Sequence, residues 1–131
     1  MNYKQNAVER FSKDLYATET TGIIIEDVYP DYAKCSLMVD DRHLNAAGFV
    51  MGGAIFTLAD FAFAIASNCG HEFTVTLTSQ ISYINGTKGS ILFAEAKCIK
   101  SSKRVCFYEI EVSDGNGNLV ARISTTGYRK V

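Results

Sequence analysis

The residues with the clearest chemical potential lie in one run, Gly52-Gly53-Ala54-Ile55-Phe56-Thr57-Leu58-Ala59-Asp60. Asp60 is the polar exception in apolar surroundings, and a carboxylate is rarely buried without a partner or a task, because desolvation disfavours its charged form. If the run is helical, Asp60 follows Gly53 by nearly two turns, an offset of about 20°. The two then share a face, with Thr57 between them. The start of such a helix presents unpaired N–H groups and the positive end of its dipole. The glycine pair lets a ligand approach those groups closely. Donors that polarise an electrophile would thus share a face with a base or nucleophile. A helix-interior Asp bonded to a neighbouring hydroxyl or arginine accounts for the local pattern equally well.

The positioning elements read outward from this run. Gly52 to Ser67 is rich in alanine, leucine and phenylalanine, lacks proline, and is apolar around most of its circumference. That pattern predicts a helix of roughly 20 Å buried on nearly all sides, too short to span a bilayer. Phe56, Phe61 and Phe63 offer an apolar wall that suits a pocket lining or plain core packing. The polar loop Asp40 to Met51 delivers His43-Leu44-Asn45 to the helix start, and loops of this length in a compact domain are often functional. Upstream, Val8, Phe11, Leu15 and Tyr16 predict an amphipathic helix over Asn6 to Tyr16. A strand from Gly22 to Tyr29, a Pro30-Asp31 turn and a strand from Tyr32 to Val39 follow.

Asn68-Cys69-Gly70 predicts the helix stop, with Gly70 as a left-handed cap. Beyond it, Phe73 to Ile84 reads as a central strand with a threonine-rich face, solvated or ligand-facing. Three further strands are expected over Ser90 to Lys100, Arg104 to Ser113 and Leu119 to Tyr128. The turns Asn85 to Gly89, Ser101 to Lys103 and Asp114 to Asn118 predict an antiparallel meander. The expectation is an α+β fold, a curved antiparallel sheet wrapped around a central buried helix, in one domain over residues 1–131.

The formal charge of −1 argues against nonspecific nucleic-acid binding. The start of the chain carries no run of signal-peptide type and no segment qualifies as a membrane span, so the expected compartment is the cytoplasm. The four cysteines have neither C-x-x-C spacing nor a nearby histidine pair, which favours reduced thiols over disulfides or zinc. No metal or other cofactor is expected.

With loop and helix in view, the chain resembles the hotdog-fold acyl-CoA thioesterases of the phenylacetate-degradation type. The resemblance rests on His43-Leu44-Asn45, Gly48, Gly52-Gly53, Phe56, Leu58-Ala59-Asp60 and Asn68, and on the order of elements along nearly the whole chain. It implies hydrolysis of an acyl-CoA thioester, with CoA part of the substrate rather than a cofactor. It also implies a homodimer, often paired into a homotetramer, with each site shared between two subunits. By position, Gly53 would donate its N–H to the thioester oxygen, Asp60 would be nucleophile or general base, and Asn45 would orient water or carbonyl. Gly52, His43 and Thr76 would help hold the substrate. Lys103 and Arg104, in the basic turn Lys100 to Arg104, would meet the CoA phosphates, although an ordinary solvated hairpin tip explains that run as well. Met51 stands where many relatives have His, and Ala64 lacks a hydroxyl that some use. A non-catalytic acyl-CoA or acyl-carrier binding module on the same fold is the alternative.

Overall fold

The computed structural model describes residues 2–71 and 73–130. The order of elements is α1 (Tyr3–Arg10), a π-helical turn (Tyr16–Thr21), β1 (Ile23–Tyr29), β2 (Tyr32–Met38), a short 3-10 turn (Asp41–His43), α2 (Gly52–Asn68), β3 (Phe73–Tyr83), β4 (Ile91–Ser101), β5 (Val105–Asp114) and β6 (Leu119–Lys130). All six strands form one antiparallel sheet in the order β1-β2-β4-β5-β6-β3. Helix α2 lies against it, touching every strand.

The core follows from two periodicities. Alternate residues of β2, β4 and β5 face the helix and are fully buried, among them Cys35, Leu37, Leu92, Ala94, Tyr108 and Ile110. Ile55, Leu58, Phe61, Phe63 and Ile65 of α2 meet them. Burying each such side chain contributes about 1.5–3 kcal/mol. Phe63 packs edge-on to Tyr108 at 5.2 Å between ring centroids. The helix is nevertheless not buried all round. Gly53 and Asp60 are exposed and Thr57 and Ala64 half-buried, so the face the sheet cannot reach stays open.

Three sequence expectations are corrected. The N-terminal helix ends at Arg10 rather than Tyr16, because Ser12 Oγ bonds back to the Glu9 carbonyl and the chain turns through Ser12-Lys13-Asp14. Ala7 is buried and Phe11 packs edge-on against Phe61, but Val8, Leu15 and Tyr16 remain exposed. Strand β3 is an edge strand paired only with β6, and a bulge between Thr76 and Thr78 interrupts its alternation. The meander therefore holds for β4-β5-β6 alone. The link from β3 does not close a hairpin: Asn85 binds the Leu119 and Val120 carbonyls, and the Thr87 carbonyl accepts from Val50.

His71 is half-buried and paired with Asp31 at 3.2 Å. Asp31 sits in the left-handed turn between β1 and β2 at φ 66 and also accepts from Tyr108 Oη at 2.6 Å and Arg129 Nη2 at 3.4 Å. Arg129 is buried and donates further to the Ser67 carbonyl and Thr74 Oγ1, which ties the end of α2 to β3 and β6. Beside this tie, Gly127 of β6 packs tightly under Phe63 of the helix. A Cβ there would stand 2.8 Å from both Cys106 Sγ and Phe63 Cζ. Gly127→Ala should therefore destabilise the fold by about 1–3 kcal/mol through overpacking, measured as a lowered urea midpoint at unchanged slope.

Candidate active site

The loop before α2 is held by its own side chains. His43 is buried; its Nδ1 accepts the Asp40 N–H at 3.0 Å, and its Nε2 lies 2.7 Å from the Thr21 carbonyl and donates to it. Both ring nitrogens are thus engaged, and His43 supports the loop instead of facing a substrate. Arg42 adds a second tie, from Nη1 to the Thr20 carbonyl at 2.9 Å. Asn45 then closes a tight turn: its Oδ1 accepts from Ala47 N at 2.9 Å and Phe49 N at 3.1 Å. Its amide nitrogen remains available on an exposed side chain.

The His43 carbonyl accepts the Met51 N–H at 2.7 Å, which fixes where the helix begins. Ala54 and Ile55 donate to the Met51 carbonyl, and among the described residues the N–H groups of Gly52 and Gly53 have no acceptor at the dipole's positive end. The two glycines differ. A Cβ on Gly52 would lie 3.0 Å from the Tyr83 ring, whose hydroxyl donates to the Gly52 carbonyl at 3.0 Å. Gly52 is small because Tyr83 rests on it. A Cβ on Gly53 would meet nothing within 4 Å, so Gly53 opens onto free space.

Asp60 makes no hydrogen bond or ion pair among the described residues. It lies in an open hollow of about 300 Å³ between α2 and the N-terminal segment, lined by Asp14, Leu15, Tyr16, Thr57, Phe61 and Ala64 among others. In the single chain one edge of the carboxylate reaches solvent, while the surrounding protein displaces much of its water. That desolvation, with the like charge of Asp14, holds its carboxyl above the usual carboxylate value. Thr57 does not neutralise it, because its hydroxyl donates to the Gly53 carbonyl at 2.8 Å. The helix thus carries free donors at its start and an unpaired carboxylate seven residues on, about 10 Å along the axis.

The other expected site residues lie apart. Neither Asn45 nor Thr76 lines the hollow of Asp60, and Thr76 is exposed on the edge strand. Lys103 lines a separate hollow of about 460 Å³ with Ser101, Ser102, Lys130, His71 and Phe73. Arg104 points its Nη1 to Tyr128 Oη at 3.2 Å. Among the described residues no group of three His, Cys, Asp or Glu side chains is placed to hold a metal. Asp14, Leu15 and Tyr16 were missed as site residues by sequence reasoning, since periodicity made Leu15 and Tyr16 part of the apolar stripe of a longer helix and Asp14 one of the charges between. The Ser12-Lys13-Asp14 break was the only local signal.

Comparison with known proteins gives the family and the fold. Residues 47–121, more than half of the chain, match the thioesterase superfamily. An Archaeoglobus fulgidus protein named "Putative esterase" is 33% identical over 131 residues, covering 96% of this chain and 85% of its own. The acyl-coenzyme A thioesterase PaaI of Escherichia coli is 29% identical over 126 residues, 95% of this chain and 89% of that one. The E. coli PaaI structure superposes with a TM-score of 0.92 at 26% identity, over 98% of this chain and 94% of that chain. A Streptococcus mutans structure solved with acetyl-CoA superposes at 0.79 with 25% identity, over 82% and 88%. By sequence and architecture, this chain belongs to the thioesterase superfamily and has the hotdog fold of E. coli PaaI.

Proposed function

We propose that the protein hydrolyses an acyl-CoA thioester to the free acid and CoA without a metal, at a site shared by two copies of the chain. The observation that carries this is the unpaired Asp60, on the same open helix face as the free Gly53 N–H yet about 10 Å from it. One thioester carbonyl cannot touch both groups of a single chain. In a two-fold pair, Asp60 of one copy can face Gly53 of the other, and the uncovered stripe of α2 is buried at the same time. The acyl-CoA thioesterase activity named for E. coli PaaI, and acetyl-CoA in the S. mutans structure, support CoA as the thiol.

The chemistry then follows. The Gly53 N–H and helix dipole receive the carbonyl oxygen as it gains charge; losing one such donor typically costs about 3–4 kcal/mol. Asp60 removes a proton from water, whose oxygen bonds to the carbonyl carbon. The tetrahedral intermediate collapses by breaking the C–S bond, and the Asp60 proton passes to the CoA thiolate. A carboxyl held high by desolvation is a stronger base than one in water. The amide nitrogen of Asn45 is free to donate to water or carbonyl. Met51, exposed beside the glycine pair, supplies no polar group there. This favours a second reading, a binding module, which saturable acyl-CoA binding without turnover would reveal.

Asp60→Asn should lose most of its kcat and melt no lower than the parent at neutral pH. The reason is linkage: the folded protein holds this proton more tightly than the unfolded chain, so ionised Asp60 costs stability above the unfolded carboxylate range. Parental kcat should fall as pH drops through the raised Asp60 value, since only the ionised form is a base. A pH profile and a melting scan of both proteins check this; near-parental kcat in Asp60→Asn would refute the assignment.

Sharing is read by subunit mixing. Asp60→Asn and Gly53→Ala, whose added methyl stands in the space where a ligand approaches the donor, should each lose most activity and recover up to about a quarter of the parental level when denatured and refolded together, because each mixed dimer carries one intact site. An inactive mixture containing heterodimers, or a monomer by light scattering, would exclude a shared site.

The basic turn should act on binding alone. Lys103→Ala with Arg104→Ala is expected to raise KM for acyl-CoA severalfold at low salt, to leave kcat in place, and to lose its effect as salt rises. An unchanged KM at low salt would move the CoA phosphates elsewhere.

A further inference from the structure

Two features of the hollow beside Asp60 are not used by the hydrolytic steps. Its N-terminal wall carries Leu15 and Tyr16, large apolar side chains that are 53% and 68% exposed at its open side. Its rim carries Asp14. The Asp14 backbone is fixed, with its N–H donating to the Phe11 carbonyl and its own carbonyl accepting from Thr18 N and Oγ1, both at 3.0 Å. The Asp14 carboxylate, by contrast, has no hydrogen bond or ion pair among the described residues. No lysine, arginine or histidine lines the hollow.

We infer that this hollow is the acyl-group subsite and that Asp14 at its rim restricts it to acyl groups without a terminal carboxylate. The inference rests on the acyl-CoA reading above and deepens it. A thioester whose carbon lies within reach of Asp60 must send its acyl group along α2, and the open apolar space adjoining Asp60 is this hollow. Its volume, about 300 Å³, exceeds the cavity of about 150 Å³ that holds a benzene ring. Leu15, Tyr16, Phe61 and Ala64 can cover an aryl or short alkyl group. An acyl group ending in a carboxylate would bring a further negative charge between Asp14 and Asp60, and this chain's lining of the hollow offers no cation to receive it. Rejection by unpaired like charge discriminates strongly between ligands of equal shape. The same proximity lets Asp14 raise the proton affinity of Asp60.

The test compares hexanoyl-CoA with adipoyl-CoA, equal in carbon number and different in the terminal carboxylate. Calorimetry on Asp60→Asn, which cannot turn them over, reads the subsite without hydrolysis. Hexanoyl-CoA should bind about tenfold more tightly than adipoyl-CoA. Adding Asp14→Asn should reduce that preference to about threefold or less, and Asp14→Lys should invert it. The same preference in all three proteins, or no binding of either thioester, would overturn the subsite. Preserved binding selectivity with no hydrolysis of hexanoyl-CoA by the parent would instead refute the thioesterase reading and leave the subsite standing.

Discussion

A single curved sheet can cover only part of a helix, and that constraint shapes this molecule. Helix α2 is apolar enough to act as the core of the whole sheet, and Ile55, Leu58, Phe61, Phe63 and Ile65 are buried against it. The remaining stripe, Gly53, Thr57, Asp60 and Ala64, has no strand to meet. A glycine with free space over it and a carboxylate without a partner are costly on a structural stripe and useful on a reactive one. The open face of the helix is therefore where packing ends and chemistry can begin.

The loop ahead of α2 turns that face into a defined site. His43 bridges the start of its own turn and the Thr21 carbonyl, so the segment that enters β1 and the segment that enters α2 are clamped together. The N-terminal wall of the Asp60 hollow and the donors at the helix start thus belong to one rigid arrangement. An imidazole does this well, since one nitrogen can accept while the other donates. At the other end of the helix, buried Arg129 performs a comparable task with Ser67, Thr74 and Asp31.

Much of this was legible in the residue order. The period of α2, the glycine pair, the position of Asp60 and the Gly70 stop depend on local geometry, and helix and cap fall where the sequence puts them. The turn at Asp114 to Asn118 depends on local side-chain bonds, and that at Pro30-Asp31 on a left-handed Asp31; both were equally readable. What local pattern could not carry was the partner of each strand. Strand β3 looks central by composition but lies at the edge, because its link is stitched to Leu119, Val120 and Val50 rather than folded back on β4. Nor could periodicity show that Asp14, 46 positions before Asp60, would share its hollow. His43, which the resemblance would have hold the substrate, has both nitrogens taken up by backbone groups.

The contact of Tyr83 with Gly52 has a mechanical consequence. Tyr83 closes the free edge strand, and its ring and hydroxyl grip the first residue of α2. An edge strand with unpaired backbone groups is where another strand adds most readily. Any strand joining β3 would bear on Tyr83, and through it on the Gly52 backbone from which the free donors project. Assembly at the sheet edge and alignment of the donors would then be two ends of one short lever.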